Sequence, residues 1–277
     1  MKKHLLTLAA ALVYFVIGFS QTHQLVKLWE TDTLLRVPES VLYDAGRNIL
    51  YVSNIDGKQA WEKDGAGSIG KVSTDGKIIM AEWVKGLQAP KGMGMYKDRI
   101  YVADIDVVAV IDIKKGKIVN QIPVEGAQGL NDISIDKKGT VYVSDSRTKK
   151  IHQIINGKVS TFLENLKGPN GILVHEDNFY VLDQGAMYKV GKDKTLKLIV
   201  DGMEGGTDGI EHVKGNDFIV SAWSGAIWYV TGKATKELML DTRELKINSA
   251  DIGYNPKKRI VYVPTFWKNS IVAYRLK

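Results

Sequence analysis

Apolar and polar residues alternate along most of the chain beyond its first twenty positions. Runs such as Ile133-Ser134-Ile135 and Val141-Tyr142-Val143 have the two-residue period of a strand whose successive side chains face opposite sides of a sheet. Turn residues sit between such runs at hairpin spacing: Asp75-Gly76, Lys138-Gly139, Asn156-Gly157 and Asn255-Pro256. Outside the N-terminal segment no stretch carries a convincing helical stripe. The pattern predicts an all-β protein.

One phrase recurs: a polar residue, a small or polar residue, an apolar residue, then a turn and an aromatic, β-branched strand. Glu39-Ser40-Val41 leads to Tyr51-Val52-Ser53, and Lys91-Gly92-Met93 to Tyr101-Val102-Ala103. Asn131-Asp132-Ile133 leads to Tyr142-Val143-Ser144, and Asn170-Gly171-Ile172 to Tyr180-Val181-Leu182. Asp208-Gly209-Ile210 leads to Phe218-Ile219-Val220, and Ala250-Asp251-Ile252 to Tyr262-Val263-Pro264. The openings at 39, 91, 131, 170, 208 and 250 are 52, 40, 39, 38 and 42 residues apart. Six copies at about 40 residues predict a six-bladed β-propeller with one four-stranded sheet per blade. Closing the ring removes most of the edge that an open sheet of this length would expose. The segment from Leu25 to Trp29 is placed to add a strand to the last blade and latch the ring. A single propeller domain over residues 21–277 is the expectation. The longer first interval falls around Gln59-Ala60-Trp61 and the glycines that follow, a loop over one end of the ring. Trp61 there either covers a ligand or decorates the surface.

The first twenty residues read as an address. Lys2 and Lys3 precede an apolar stretch from Leu5 to Phe19, with small Gly18 and Ser20 ahead of Gln21. That is the layout of a signal peptide over residues 1–20, which predicts a periplasmic or secreted protein with no membrane span after cleavage. An uncleaved anchor is the alternative, for which the stretch is short. Composition is that of a globular protein: 277 residues, 44% apolar, 25% charged, 27 glycines. With no cysteine, disulfides, zinc ribbons and thiol nucleophiles are excluded. The net charge of +7 comes from lysines scattered at turns rather than gathered in a stripe, so no nucleic-acid partner is expected.

The opening positions carry the candidate chemistry. A propeller brings equivalent positions of its repeats together around one axis, and here they hold Glu39, Lys91, Asn131, Asn170, Asp208 and Ala250. Two carboxylates in a narrow channel repel each other unless a cation sits between them. Hard oxygen donors without His or Cys suit one divalent cation, Ca²⁺ best and Mg²⁺ or Mn²⁺ next. Taken singly, each Asn is as well explained as a turn former.

Pro38-Glu39-Ser40, Leu130-Asn131-Asp132, Pro169-Asn170-Gly171 and Thr207-Asp208-Gly209 resemble the four ligand motifs of the SMP-30/gluconolactonase family, related to paraoxonases and diisopropylfluorophosphatase. The resemblance implies a divalent ion, usually calcium, in the channel and hydrolysis of lactones, esters or phosphotriesters. It implies that Glu39, Asn170 and Asp208 ligate the metal, that Asn131 binds the ion or the substrate beside it, and that Asp208 doubles as base or nucleophile. Sugar-lactone members often carry Arg two residues before the second motif's Asn, where this chain has Gly129. Paraoxonase-like members open their second blade with His, where this chain has Lys91. Three roles are open to Lys91: contact with an anionic substrate, exposure to solvent, or pairing with Glu39 in place of the metal. The expected partner is a small lactone or ester, bound with the help of Asn131, Lys91 and Trp61. The rival reading is a non-catalytic binding or scaffold propeller of the cell envelope, its ion structural or missing.

Other motifs carry less. Gly65 to Val72 nearly matches a phosphate-binding loop, but Val72 replaces the required hydroxyl and no helix pattern follows. His152, His175 and His212 show no metal spacing and read as surface or loop residues. No G-x-S-x-G elbow is present. Trp223, Trp228 and Trp267 read as wedges between blades before they read as ligand platforms.

Overall fold

A computed structural model describes residues 22–57, 59–203 and 206–277. The expected signal segment, residues 1–20, lies outside them. Over the described residues the strands form six four-stranded antiparallel sheets, the blades of a propeller. Blades 1 to 5 are contiguous and span residues 38–87, 90–123, 130–163, 169–200 and 207–241. Blade 6 takes three strands from the C-terminus (Gly253–Asn255, Ile260–Pro264 and Ile271–Leu276) and its outermost from Leu25–Glu30.

That outermost strand is the latch expected near Leu25. It pairs antiparallel with Ile271–Leu276, from Leu25 opposite Leu276 to Glu30 opposite Val272. Two further bonds hold its far end: the Ile271 N–H donates to Thr31 Oγ1 at 3.0 Å, and Ser270 Oγ donates to Glu30 Oε1 at 2.8 Å. Trp29 leaves the strand to cover the Asp75-Gly76 turn of blade 1. A Cβ on Gly76 would lie 2.7 Å from the Trp29 ring, so only glycine fits there.

The two-residue period explains why the blades stack. Tyr51 packs with Ile69, Ile100 and Val102 between blades 1 and 2, whereas its neighbours Leu50 and Val52 pack with Tyr262 and Ile271 between blades 6 and 1. Each second strand thus feeds two interfaces, and six apolar layers lie between adjacent blades, with a smaller cluster of Val37, Ile55, Ala89, Ile105, Ala250 and Phe266 apart from them. The last layer to close lies between blades 5 and 6, where Leu276, 1% exposed, joins Tyr229, Tyr254 and Val261.

The segment that resembled a phosphate loop is the third strand of blade 1, Gly67–Ser73. His152 is buried in its strand rather than at the surface, and His175 and His212 stack at 3.6 Å. Trp228 packs into the layer between blades 4 and 5, as a wedge should.

Truncating Leu276 to Ala should lower stability by about 2–5 kcal/mol and the thermal midpoint by about 5–15 °C. Leu28→Ala, on the latch strand that pairs with it but 41% exposed, should cost at most about 0.5 kcal/mol. Equal losses in thermal melts of the two variants would show that the latch does not close a core.

Candidate active site at the propeller axis

The innermost strands of blades 1 to 5 are Pro38–Asp44, Pro90–Tyr96, Leu130–Ile135, Pro169–His175 and Thr207–Lys214. Each is out of register with its neighbour near its start: between Pro38 and Ser40, Pro90 and Met93, Leu130 and Ile133, Pro169 and Ile172, and Thr207 and Ile210. Glu39, Lys91, Asn131, Asn170 and Asp208 all sit inside these irregularities. A bulge turns a side chain away from the sheet face it would otherwise occupy, and here it turns five of them toward one space. The broken ladder is mended by hydroxyls in alternate blades. Ser53, Ser144 and Ser221 accept the N–H of Ser40, Asp132 and Gly209 at 2.8–2.9 Å.

Crowding at the axis explains the small residue in the phrase. A Cβ on Gly171 would run into the carbonyl of Asp208 in the next blade, and one on Gly209 would lie 2.5 Å from Asp251 Oδ1. Asp132 ties two inner strands together, accepting from the Ile133 N–H at 2.6 Å and from the Ile172 N–H of blade 4 at 2.7 Å.

Glu39, Lys91, Asn131, Asn170 and Asp208 line one pocket of about 430 Å³, together with Ala60, Trp61, Trp223, Phe266 and Trp267. All six residues singled out in the sequence are therefore gathered in one place. Glu39 Oε2, Asn170 Oδ1 and Asp208 Oδ1 are buried and meet no donor. Asn131 donates its Nδ2 to Ser146 Oγ at 3.1 Å, and Ser146 passes its own proton to the Pro169 carbonyl at 2.6 Å. That relay fixes the amide so that Oδ1 is the atom it does not engage. Buried carboxylate and carboxamide oxygens without donors are costly, and a hard cation among them removes the cost. The residues present fit a divalent ion. Only two are carboxylates, and among the described residues no three His, Cys, Asp or Glu side chains form a metal cluster.

Electrostatics point the same way. Burial first, then the charge of Asp208, pushes the Glu39 carboxyl well above its ordinary range, against the pull of Lys91. Burial and Asp132 raise Asp208 to about 7, with the Asn170 amide and Lys91 acting the other way. Further along the channel burial lifts Asp132 to about 6, Glu211 to about 8 and Asp251 well above the usual value.

Lys91 is 3% exposed, which removes the solvent-facing role. Its ammonium donates to the Ala60 carbonyl at 2.5 Å and lies 4.2 Å from the Trp61 ring centre, and it forms no ion pair with Glu39 among the described residues. Burial lowers its pKa, while Glu39, Asp104 and Asp208 oppose that shift. Lys91 thus anchors the inserted loop over the pocket, a role the sequence did not suggest. Lys63 with Asp106 (2.5 Å) and the Gly65 N–H with Gln88 Oε1 (3.0 Å) hold the same loop.

Three further contributions escaped the sequence reading. Trp223 and Trp267 line the pocket instead of wedging blades apart. Arg147 lies with its guanidinium 4.8 Å from the Trp61 ring centre. A Cβ on Gly129 would meet the Arg147 side chain at 2.7 Å, so the space over Gly129 already belongs to that arginine. Asp104 and Asp183 end the second strands of blades 2 and 4 and accept the N–H groups of Gln88 and Ala89, and of Lys167 and Gly168. These carboxylates staple the loops that deliver Lys91 and Asn170. Their signal was an Asp following Tyr-Val-x in three of the repeats, at 104, 145 and 183.

No protein-family model and no curated protein matches the chain. Solved structures match its shape at low identity. A protein provisionally named a gluconolactonase superposes with a TM-score of 0.69 over 94% of this chain and 94% of its own, at 14% identity. A catalytically inactive histidine-to-alanine variant of virginiamycin B lyase from Staphylococcus aureus, with quinupristin, gives 0.63 over 92% of this chain and 99% of its own, at 13%. A streptogramin B lyase gives 0.63 over 92% and 98%, at 12%. At such identities the likeness is one of fold: the chain is a β-propeller of the architecture these proteins share.

Proposed function

We propose that the chain is a divalent-cation-dependent hydrolase of lactones or related esters, exported to the periplasm or secreted. The carrying observation is the trio of buried, donor-less oxygens on Glu39, Asn170 and Asp208 in one pocket. With Asn131 these side chains offer four oxygens to an ion that takes six to eight, most readily Ca²⁺, and leave positions for water and substrate. Bound there, the ion supplies Lewis acidity toward the carbonyl oxygen of the scissile ester.

The chain's own groups do the rest. Asp208, held between burial and the Lys91 ammonium, takes a proton from the attacking water or attacks the acyl carbon itself. In the first route the C–O bond of the ester breaks after the water oxygen adds, and the released alkoxide takes the proton back from Asp208; in the second the alkoxide leaves as a mixed anhydride forms on Asp208, and water then hydrolyses the anhydride and supplies the alkoxide's proton. Glu39 balances charge without facing the reacting carbon. Trp61 and the loop pinned by Lys91 cover the mouth and limit bulk water. None of the described pocket residues is a histidine.

Asp208→Asn should abolish hydrolysis of a lactone panel yet keep measurable calcium binding, whereas Glu39→Gln should weaken calcium affinity at least about tenfold through loss of a ligand charge. Full turnover by the first variant, or unaltered affinity in the second by calorimetric titration, would remove these assignments. Removing the ion should also reshape stability. Asp132, Asp208 and Glu211 titrate near 6, 7 and 8 when folded, above the value near 4 of an unfolded carboxyl. A raised acid contributes stability that is complete below the unfolded pKa and lost as pH rises through the folded one. In chelator the thermal midpoint should therefore fall between pH 5 and pH 8, and millimolar calcium should restore it at pH 8. A midpoint that ignores calcium there would contradict the proposed site.

A further inference from the structure

Part of the pocket wall beside the inserted loop is aromatic. Trp223 comes from the turn between the second and third strands of blade 5, and Phe266 and Trp267 from the matching turn of blade 6. Their rings form an edge-to-face ladder, Trp223 to Phe266 at 5.6 Å and 82°, Phe266 to Trp267 at 4.8 Å and 84°. Such pairs hold one another in fixed orientation. Trp223 is nonetheless 42% and Trp267 49% exposed, so both present apolar surface to the opening.

The backbone is built to keep them there. The Trp223 N–H donates to the Gly206 carbonyl at 2.9 Å, and Asn248 Nδ2 donates to the Trp223 carbonyl at 2.8 Å. In blade 6 Phe266 holds φ +50° and Asn269 φ +61°, a left-handed conformation costly for a bulky aromatic residue. Bonds between Thr265 and Ser270, and from the Val37 N–H to Asn269 Oδ1 at 2.9 Å, lock that turn. Strain held in this way is characteristic of sites where a side chain must be aimed.

Deep in the pocket, Lys91 and Asn131 are engaged with the protein itself. Lys91 donates to the Ala60 and Ala89 carbonyls and Asn131 to Ser146. The unpartnered atoms are acceptors on Glu39, Asn170 and Asp208. The exposed tryptophan rings add apolar surface beside those acceptors. An alkyl or aryl group gains at the same surface.

We infer that the substrate carries an apolar arm, alkyl or aryl, seated on the Trp223–Phe266–Trp267 wall while its ester group lies over the four oxygen donors. This rests on the hydrolase reading for the ester and on the wall alone for the arm. The test uses the full chain in calcium, with δ-decalactone against δ-gluconolactone as substrates. In parallel, tryptophan fluorescence reports binding of the lactam analogue of δ-decalactone, which does not turn over. The wild type should favour δ-decalactone by at least about tenfold in kcat/KM. Trp223→Ala and Trp267→Ala, both exposed side chains, should each lower that preference about tenfold through KM and weaken lactam binding by a similar factor. A preference for δ-gluconolactone, or lactam binding indifferent to both variants, overturns the inference. If neither lactone is hydrolysed while lactam binding still depends on the two tryptophans, the hydrolase reading fails and the apolar seat stands.

Discussion

Negative charge without a partner, packed at the axis, is the constraint around which the site is organised. Glu39 and Asp208, each buried, share a pocket, and each carries an oxygen that meets no donor. Lys91 is the cation nearest to hand, yet its ammonium is spent on the Ala60 carbonyl and the Trp61 ring. Its pull on both acids is smaller than the effect of burial. A protein can tolerate such a cluster by protonating it or by binding a cation. Asn131 and Asn170 add two neutral oxygen donors that a hard ion would use alongside the carboxylates.

The fold delivers that cluster through a repeated irregularity. A regular inner strand would alternate its side chains between the two blade interfaces, as Leu50, Tyr51 and Val52 do on the second strand. The bulge at the start of the inner strand breaks the alternation and frees one residue per blade to face the axis. The price of a broken ladder is small where Ser53, Ser144 and Ser221 supply a hydroxyl to the orphaned N–H. Asp104 and Asp183 then fix the preceding loops. The acceptors of the proposed ion site are thus set by backbone geometry, whereas the walls above them come from turns and an inserted loop.

That division explains what could be read from the sequence. Period-two alternation and the spacing of the six openings are properties of regular strands, so the propeller and the gathering of Glu39, Lys91, Asn131, Asn170 and Asp208 were legible. The latch near Leu25 was legible for the same reason. The direction of a turn side chain leaves no such trace. Trp223 and Trp267 read as wedges alongside Trp228, which lies on the strand just after Trp223 and is one. Arg147 could not be connected with Gly129 because they are 18 positions apart and meet only across the mouth of blade 3. Lys91 was read through its charge, when its nearest acceptor is a backbone carbonyl in a loop without regular structure.

Soaking crystals in Mn²⁺ and measuring anomalous scattering tests the central claim most directly. The account predicts one strong peak on the axis, about 2.0–2.6 Å from oxygens of Glu39, Asn170 and Asp208, displaced by excess calcium. A map with no peak in that pocket at millimolar Mn²⁺, or with the ion seated instead among Asp132, Glu211 and Asp251, would contradict it.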